Sequence, residues 1–343
     1  MIDHTYNFIV KVTTACPGNC RCCTNRQINF KDKSNGSAFD IDVFRAICKK
    51  LSEIGGRYIC LSGGEPTFVD NLEDYVSVAH EFNLVSRLNT NGWNLTETRL
   101  KTFLDLGLDQ IVLSIYGTDE DQILKTRGNA RIYGRSMEAL SAITKLKETY
   151  TFSFIIQTVI MRDTFRQIPQ ILKMAFNHKA NRFWPSYLED SINLQDLRLT
   201  KEDVKIFREH VIPEMVDIIE KANLDATVRG RIIKDVRKIY EKDYSNGVYH
   251  PNGIECPWPG HHMTFYPNGI VDPCPGHEYF KSDDQIIADY GDVDSLLNED
   301  NLRKLIDKRF EYCRYCPHGV HVDIPLGKEI VHEHLAQSTQ ELD

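Results

Sequence analysis

The sequence predicts an α/β protein built on a parallel sheet, followed by a small metal-stapled segment. Three observations point there. Short apolar, β-branched runs alternate with amphipathic helical patterns through the first half of the chain. The conspicuous thiol and polar motifs each follow one of those apolar runs. Residues 244–280 then become rich in Pro, Gly, His and aromatics with little periodicity, the texture of a domain that a metal rather than a core holds together.

The candidate strands are 6–13 (YNFIVKVT), 57–62 (RYICLS), 84–89 (LVSRLN), 109–115 (DQIVLSI), 152–160 (FSFIIQTVI) and 181–187 (NRFWPSY). Each has the near-continuous apolar character of a buried parallel strand. The clearest helix starts at Asp40, a good N-cap, after which Val43, Phe44, Ile47, Leu51 and Ile54 recur at helical spacing until Gly55-Gly56. Residues 70–82, 96–106, 134–149 and 165–177 repeat the theme. Repeated strand–helix units imply a parallel architecture, either an open doubly wound sheet or an incomplete (β/α)6 barrel. From Thr200 the pattern is helical throughout, and Thr200 with Asp203 resembles a capping box. The expected organisation is therefore a core over 1–199, a helical linker over 200–243, a metal-stapled segment over 244–326 and a polar tail over 327–343.

Composition narrows the function classes. The chain has 343 residues, 41% hydrophobic and 26% charged, an ordinary globular balance. No run approaches the roughly 18 apolar residues that cross a bilayer. The start, MIDHTYNF, has acid early and neither a basic leader nor an apolar core, so a cytoplasmic protein is expected. There thiols stay reduced, and clustered cysteines read as metal-binding or catalytic. A net charge of −8 argues against a nucleic-acid footprint.

Ligands of parallel α/β folds bind at the carboxyl ends of the strands, and four motifs sit there. TTACPGNCRCC follows the first strand, SGGEP (Ser62–Pro66) the second, NTNG (Asn89–Gly92) the third, and Ser114 closes the fourth. Cys16, Cys20 and Cys23 are spaced C-x3-C-x2-C, with Cys22 as an extra thiol. Three thiolates on one loop can hold an iron–sulfur cube and leave one iron open. A zinc site with three thiols, or a redox pair of Cys20 and Cys23, are the alternatives. Gly63 and Gly64 permit backbone approach that a Cβ would block.

Together these motifs resemble the radical S-adenosylmethionine (radical SAM) superfamily over roughly residues 6 to 190. The resemblance implies a partial (β/α)6 barrel in which Cys16, Cys20 and Cys23 ligate a four-iron, four-sulfur cluster whose open iron chelates SAM. Reductive cleavage of SAM then gives a 5′-deoxyadenosyl radical that abstracts a substrate hydrogen. Carried over, the backbone of Gly63, Gly64 and Glu65 and the Glu65 carboxylate would meet the SAM amino group, Ser114 and Arg127 its carboxylate, and Asn91 and Gln157 its ribose, with Pro66 counted among the cofactor-binding residues of the same loop. Two positions depart from the family. Cys22 stands where an aromatic residue commonly packs near adenine, and Tyr116 where an acid is frequent.

A second set, Cys256, Cys274, Cys313 and Cys316, lies in ECPWPG, FYPNGIVDPCPGH and YCRYCPHG. The middle phrase reads as a β-hairpin turning at Pro267-Asn268-Gly269 and delivering Cys274 at its end. Residues 255–318 resemble the twitch form of the SPASM domain, which holds one auxiliary four-iron, four-sulfur cluster; a zinc knuckle is the alternative. His261, His262, His277, His318 and His321 flank the set and read as hydrogen-bonded or solvated imidazoles. Cys48 and Cys60 read as core thiols, and Trp184 as a core aromatic.

The expectation is an oxidoreductase in which the auxiliary cluster accepts an electron from the substrate radical, reduced by a flavodoxin- or ferredoxin-type partner. The first strand begins by residue 6, which leaves no room for an N-terminal peptide-recognition domain. The expected reaction is therefore dehydrogenation of a small polar metabolite such as an aminocyclitol or sugar. A SPASM-type peptide maturase is the alternative within the family, and a non-catalytic iron–sulfur or zinc carrier the alternative outside it. The GGEP and NTNG loops speak against a carrier, which needs no cofactor cradle.

Overall fold

The computed structural model describes residues 6–23, 38–188, 194–241, 261–274, 286–287, 290–298, 300–302 and 324–326. At its centre are six parallel strands: β1 Asn7–Thr13, β2 Tyr58–Gly63, β3 Val85–Thr90, β4 Gln110–Ser114, β5 Ser153–Ile160 and β6 Arg182–Tyr187. They lie side by side in sequence order, and that order decides between the two architectures. A doubly wound sheet reverses direction partway and takes helices on both faces. Right-handed crossovers that all step the same way put their helices on one face, the outside of a partial barrel.

The covering helices are α1 Ile41–Glu53, α2 Leu72–Glu81, α3 Glu97–Asp105, α4 Glu120–Arg127, α5 Arg131–Leu146 and α6 Ile168–Asn177. The Asp40 carboxylate caps α1, accepting from Asp42 N at 2.8 Å and Val43 N at 3.0 Å, and Gly55 follows the helix at φ +77°. Periodicity does not reveal α4. In EDQILKTR only Ile123 and Leu124 are apolar, and Leu124 is 52% exposed, so the helix offers almost no stripe to read. On the strands, Ile59, Leu61, Leu88, Ile111, Leu113, Phe154 and Ile156 join the core under the helices. The residues alternating with them face the barrel interior.

Beyond the barrel, Thr200 and Asp203 form the expected capping box on α7 Lys201–Ile206. A π-helical turn, Phe207–Val211, leads into α8 Ile212–Lys221, and α9 Ala226–Arg237 follows. The hairpin is present as β7 Thr264–Phe265 and β8 Ile270–Asp272, with Gly269 at φ +82°. Cys274 lies buried just past it. Sequence reading did not anticipate that β7 pairs parallel with β1, Ile9 opposite Thr264. β9 Ile286–Ile287 continues that edge, and β10 Ile324–Pro325 pairs antiparallel with β6 at the other, giving one ten-stranded sheet. Two-residue strands leave no periodic signature to detect.

Cys256, Cys313, Cys316, His277, His318, His321 and the expected tail from residue 327 lie outside the described residues. Among the described residues no helix is long and apolar enough to cross a membrane.

Candidate functional site

The loop after β1 carries three of the cysteines named above as cluster ligands, and neighbours brace it on three sides. On the first side is the β2 loop. Gly64 N donates to Thr13 O and Glu65 N to Ala15 O, both at 2.7 Å. A Cβ on Gly64 would lie 2.2 Å from Ala15 O, and one on Gly63 2.3 Å from Thr13 O, with Gly63 at φ +139°. The two glycines thus let the β2 loop press its backbone against the cysteine loop.

The C-terminal end of α4 forms the second side. Asn19 N donates to Arg127 O at 2.7 Å, Arg21 N to Thr126 O at 3.1 Å, and Asn129 Nδ2 to Pro17 O at 3.0 Å. Gly128 ends the helix in the left-handed region, φ +67°. On the third side, Arg21 reaches the carboxylates of Asp163, at 2.5 Å, and Asp196. Asp163 also takes Lys125 Nζ at 2.8 Å. Sequence reading missed Arg21 and Asp163, because a clamp between distant loops has no spacing to betray it.

Cys16 Sγ accepts from Gly18 N at 3.4 Å and faces Asn91 Nδ2 at 4.0 Å. Burial pushes its thiol up to about 12; the Gly18 bond works against this, and the nearby charges of Glu65, Cys20 and Cys23 add to it. Burial of Cys16 disfavours its thiolate, so ionising it calls for a cation beside the sulfur. Among the described residues no three His, Cys, Asp or Glu side chains converge as ligands of a single metal ion. Three thiols on one short loop are a donor set that an iron–sulfur cube can use, one thiolate to each of three irons.

Glu65 is 1% exposed. Its carboxylate accepts from Thr67 N at 3.2 Å, Thr67 Oγ1 at 2.8 Å, Asn91 N at 2.7 Å and Thr90 Oγ1, so it ties the β2 loop to the β3 loop. Asn91, buried beside Cys16, accepts from Trp93 N through Oδ1 and from Ser136 Oγ through its carbonyl. Pro66 is buried at the start of a 3-10 turn. Ser114, the last residue of β4, is the register partner of Gln157, midway along β5. The structure thus brings the expected residues together on one rim.

Arg127 is 3% exposed. One Nη donates to Ser114 O at 2.7 Å, while Nε is buried without a hydrogen-bond partner. Burial disfavours its charge, but Cys20, Tyr116, Cys22 and Cys16 raise its pKa overall. The guanidinium stacks 3.9 Å from the Tyr116 ring centre. The two positions that depart from the family turn out to share one patch. Cys22 and Tyr116 both pack on Val159, Met161, Leu188 and Leu197.

Residues 10–175 match the family model described as Radical SAM superfamily. The chain is 26% identical over 174 residues to the PqqA peptide cyclase of Bradyrhizobium diazoefficiens, covering 51% of this chain and 44% of that protein. To the PqqA peptide cyclase of Gluconobacter oxydans it is 28% identical over 176 residues, covering 51% and 47%. The chain spans less than half the length of these curated relatives. Among solved structures, Streptococcus suis SuiB superposes with a TM-score of 0.62 at 14% identity, covering 91% of this chain and 71% of that one. anSMEcpe with bound AdoMet gives 0.60 at 17%, covering 91% and 88%. These last two are likenesses of fold.

Proposed function

The chain carries a radical SAM domain over residues 10–175, and from that premise we propose that it is an enzyme that modifies a peptide by radical chemistry. A domain of this family uses a four-iron, four-sulfur cluster with SAM, and supplies when loaded a 5′-deoxyadenosyl radical that takes a hydrogen atom from the substrate. The small-metabolite dehydrogenation expected from sequence finds no support in the curated relatives, whose names specify a peptide.

Each residue of the rim has a job in this reading. Cys16, Cys20 and Cys23 would hold the cluster. Gly63 and Gly64 seat the loop that bears them, and the Glu65 carboxylate, already supplied with four donors, fixes the β2 and β3 loops together. What that loop offers an ammonium is then its backbone carbonyls. Arg127, buried with an unmet Nε donor, offsets the thiolate charge and faces the SAM carboxylate; Ser114, Gln157 and Asn91 line the same rim. Cys256, Cys274, Cys313 and Cys316 would hold a second cluster that takes an electron from the substrate radical, and a flavodoxin- or ferredoxin-type protein would supply the first.

The observation that carries the proposal is the cysteine loop, braced by the β2 loop, α4 and the Arg21 clamp at the carboxyl ends of the strands. The test is anaerobic reconstitution, iron and sulfide analysis, and mass spectrometry of 5′-deoxyadenosine under dithionite. Replacing Cys16, Cys20 and Cys23 together by Ala should abolish 5′-deoxyadenosine and leave only the iron of the second set. Continued formation of 5′-deoxyadenosine by the triple variant would show that these cysteines are not the ligands.

A further inference from the structure

Tyr116 stands where an acid would match the family pattern, and its contacts give the ring a different use. β4 ends at Ser114, and two residues further on the half-buried Tyr116 side chain touches two neighbours of opposite character. One is the Arg127 guanidinium, whose central carbon lies 3.9 Å from the ring centre. The other is the apolar group of Val159, Met161, Leu188 and Leu197. These four side chains are buried, so the ring has a firm seat.

Arg127 comes from the last turn of α4 and is 3% exposed. One Nη donates to Ser114 O at 2.7 Å. Nε is buried without a hydrogen-bond partner, and the second Nη makes no hydrogen bond among the described residues. Donors left unmet in a buried place are unfavourable until an acceptor joins them. Until then something must keep the guanidinium from turning away. The Ser114 bond fixes one of its nitrogens, and a guanidinium stacks on an aromatic face, so the Tyr116 ring sets its plane. A ring face attracts a cation through its π electrons and takes up none of its N–H groups. Nε and the second Nη therefore remain for a ligand, and a planar fork of this kind matches a carboxylate in geometry and charge.

We infer that Tyr116 is a positioning residue for SAM: its ring face holds the Arg127 guanidinium where Nε and the second Nη meet the SAM carboxylate. The inference rests on the place given to Arg127 at that carboxylate, and adds the side chain that keeps the arginine there. The ring face carries the effect and the hydroxyl does not. A side chain of similar reach without π electrons would fill the same space on Val159 and Leu188 and still fail to hold the cation.

The test is isothermal titration of SAM and of decarboxylated SAM into the reconstituted full chain, wild type and variants, with thermal melting as the control. Tyr116→Leu should weaken SAM binding about tenfold or more, the scale of a desolvated cation–π contact. Tyr116→Phe, which keeps the ring, should stay within about threefold of the wild type. Decarboxylated SAM should bind Tyr116→Leu and the wild type alike, because it lacks the group that Arg127 meets. In an Arg127→Met background Tyr116→Leu should cost nothing further, since the ring acts through the guanidinium. If Tyr116→Leu melts early, Tyr116→Met, unbranched and of similar reach, takes its place. Equal weakening of both ligands would reduce Tyr116 to filling, and so would a loss that persists in full when residue 127 is Met. Either result overturns the inference and leaves Arg127 at the carboxylate. SAM binding unchanged by Arg127→Met would remove that arginine from the SAM site and the inference with it, while the three cysteines keep their cluster.

Discussion

The carboxylate of Glu65 has four donors and, among the described residues, no basic partner. Burial raises its pKa, and the bonds from Thr90, Asn91 and Thr67 pull the other way. Such a site is intolerant of an amide. In Glu65→Gln one oxygen can still serve Thr67 and Thr90, but the new NH2 then opposes Asn91 N, leaving two buried donors facing each other. The expected loss is about 1–3 kcal/mol of stability, read as a lower urea midpoint. Asn91 sits 4.0 Å from Cys16 Sγ, so iron per chain after reconstitution should fall as well. A variant that melts with the wild type and loads a full cluster would mean that the web around Glu65 is dispensable. SGGEP makes Glu65 conspicuous in the sequence, but its web of donors does not show there, because two of the four, Thr90 Oγ1 and Asn91 N, come from the end of β3 more than twenty positions away.

Among elements, the strands were the most legible. YNFIVKVT, RYICLS and DQIVLSI each fall within a residue or so of β1, β2 and β4, because a strand buried on both faces needs an unbroken apolar run. The strand order that makes a barrel was not legible, since it resides in pairing rather than in any one segment. α4 was missed for the opposite reason, a short polar helix whose value is its C-terminal end. Gly64 shows what that local geometry demands. Adding one methyl puts a carbon 2.2 Å from Ala15 O, a backbone atom that can yield only by moving the cysteine loop. Gly64→Ala should therefore destabilise by about 1–3 kcal/mol and lower the iron content by more than Glu65→Gln does, measured side by side on proteins purified under the same reducing conditions. The Arg21 clamp makes a milder case. Its Asp163 partner also holds Lys125, so Asp163→Asn should loosen the β5 loop from the cysteine loop with a small change in melting, on the order of 1 kcal/mol, and faster loss of iron to a chelator. An unchanged chelation rate would make the clamp ornamental.

For the molecule as a whole, burial holds several weak acids neutral. Cys48, Cys60, Tyr75 and Tyr290 all titrate above their ordinary range, Tyr75 at about 12. Their folded-state values exceed the unfolded ones, so the native state keeps protons that the unfolded chain releases. Stability from these groups is complete below about pH 9 and is lost as pH rises beyond it. Lys147, lowered to about 8 by burial and by Lys179, acts in the other direction, one group against four. The urea midpoint should therefore fall above about pH 9, and fall less in Cys48→Ala; a flat profile would contradict the burial of these groups. The pairing of β7 with β1 has a consequence for synthesis. The ribosome makes β1 first and its second neighbour about 250 residues later, a delay of roughly ten to fifty seconds at about 5–20 residues per second. Through that interval the strand leading into the cysteine loop is a bare edge, open to pairing with another nascent chain. Release of the chain at residue 241 should make that edge permanent, and the product should sediment as aggregates where the full chain does not.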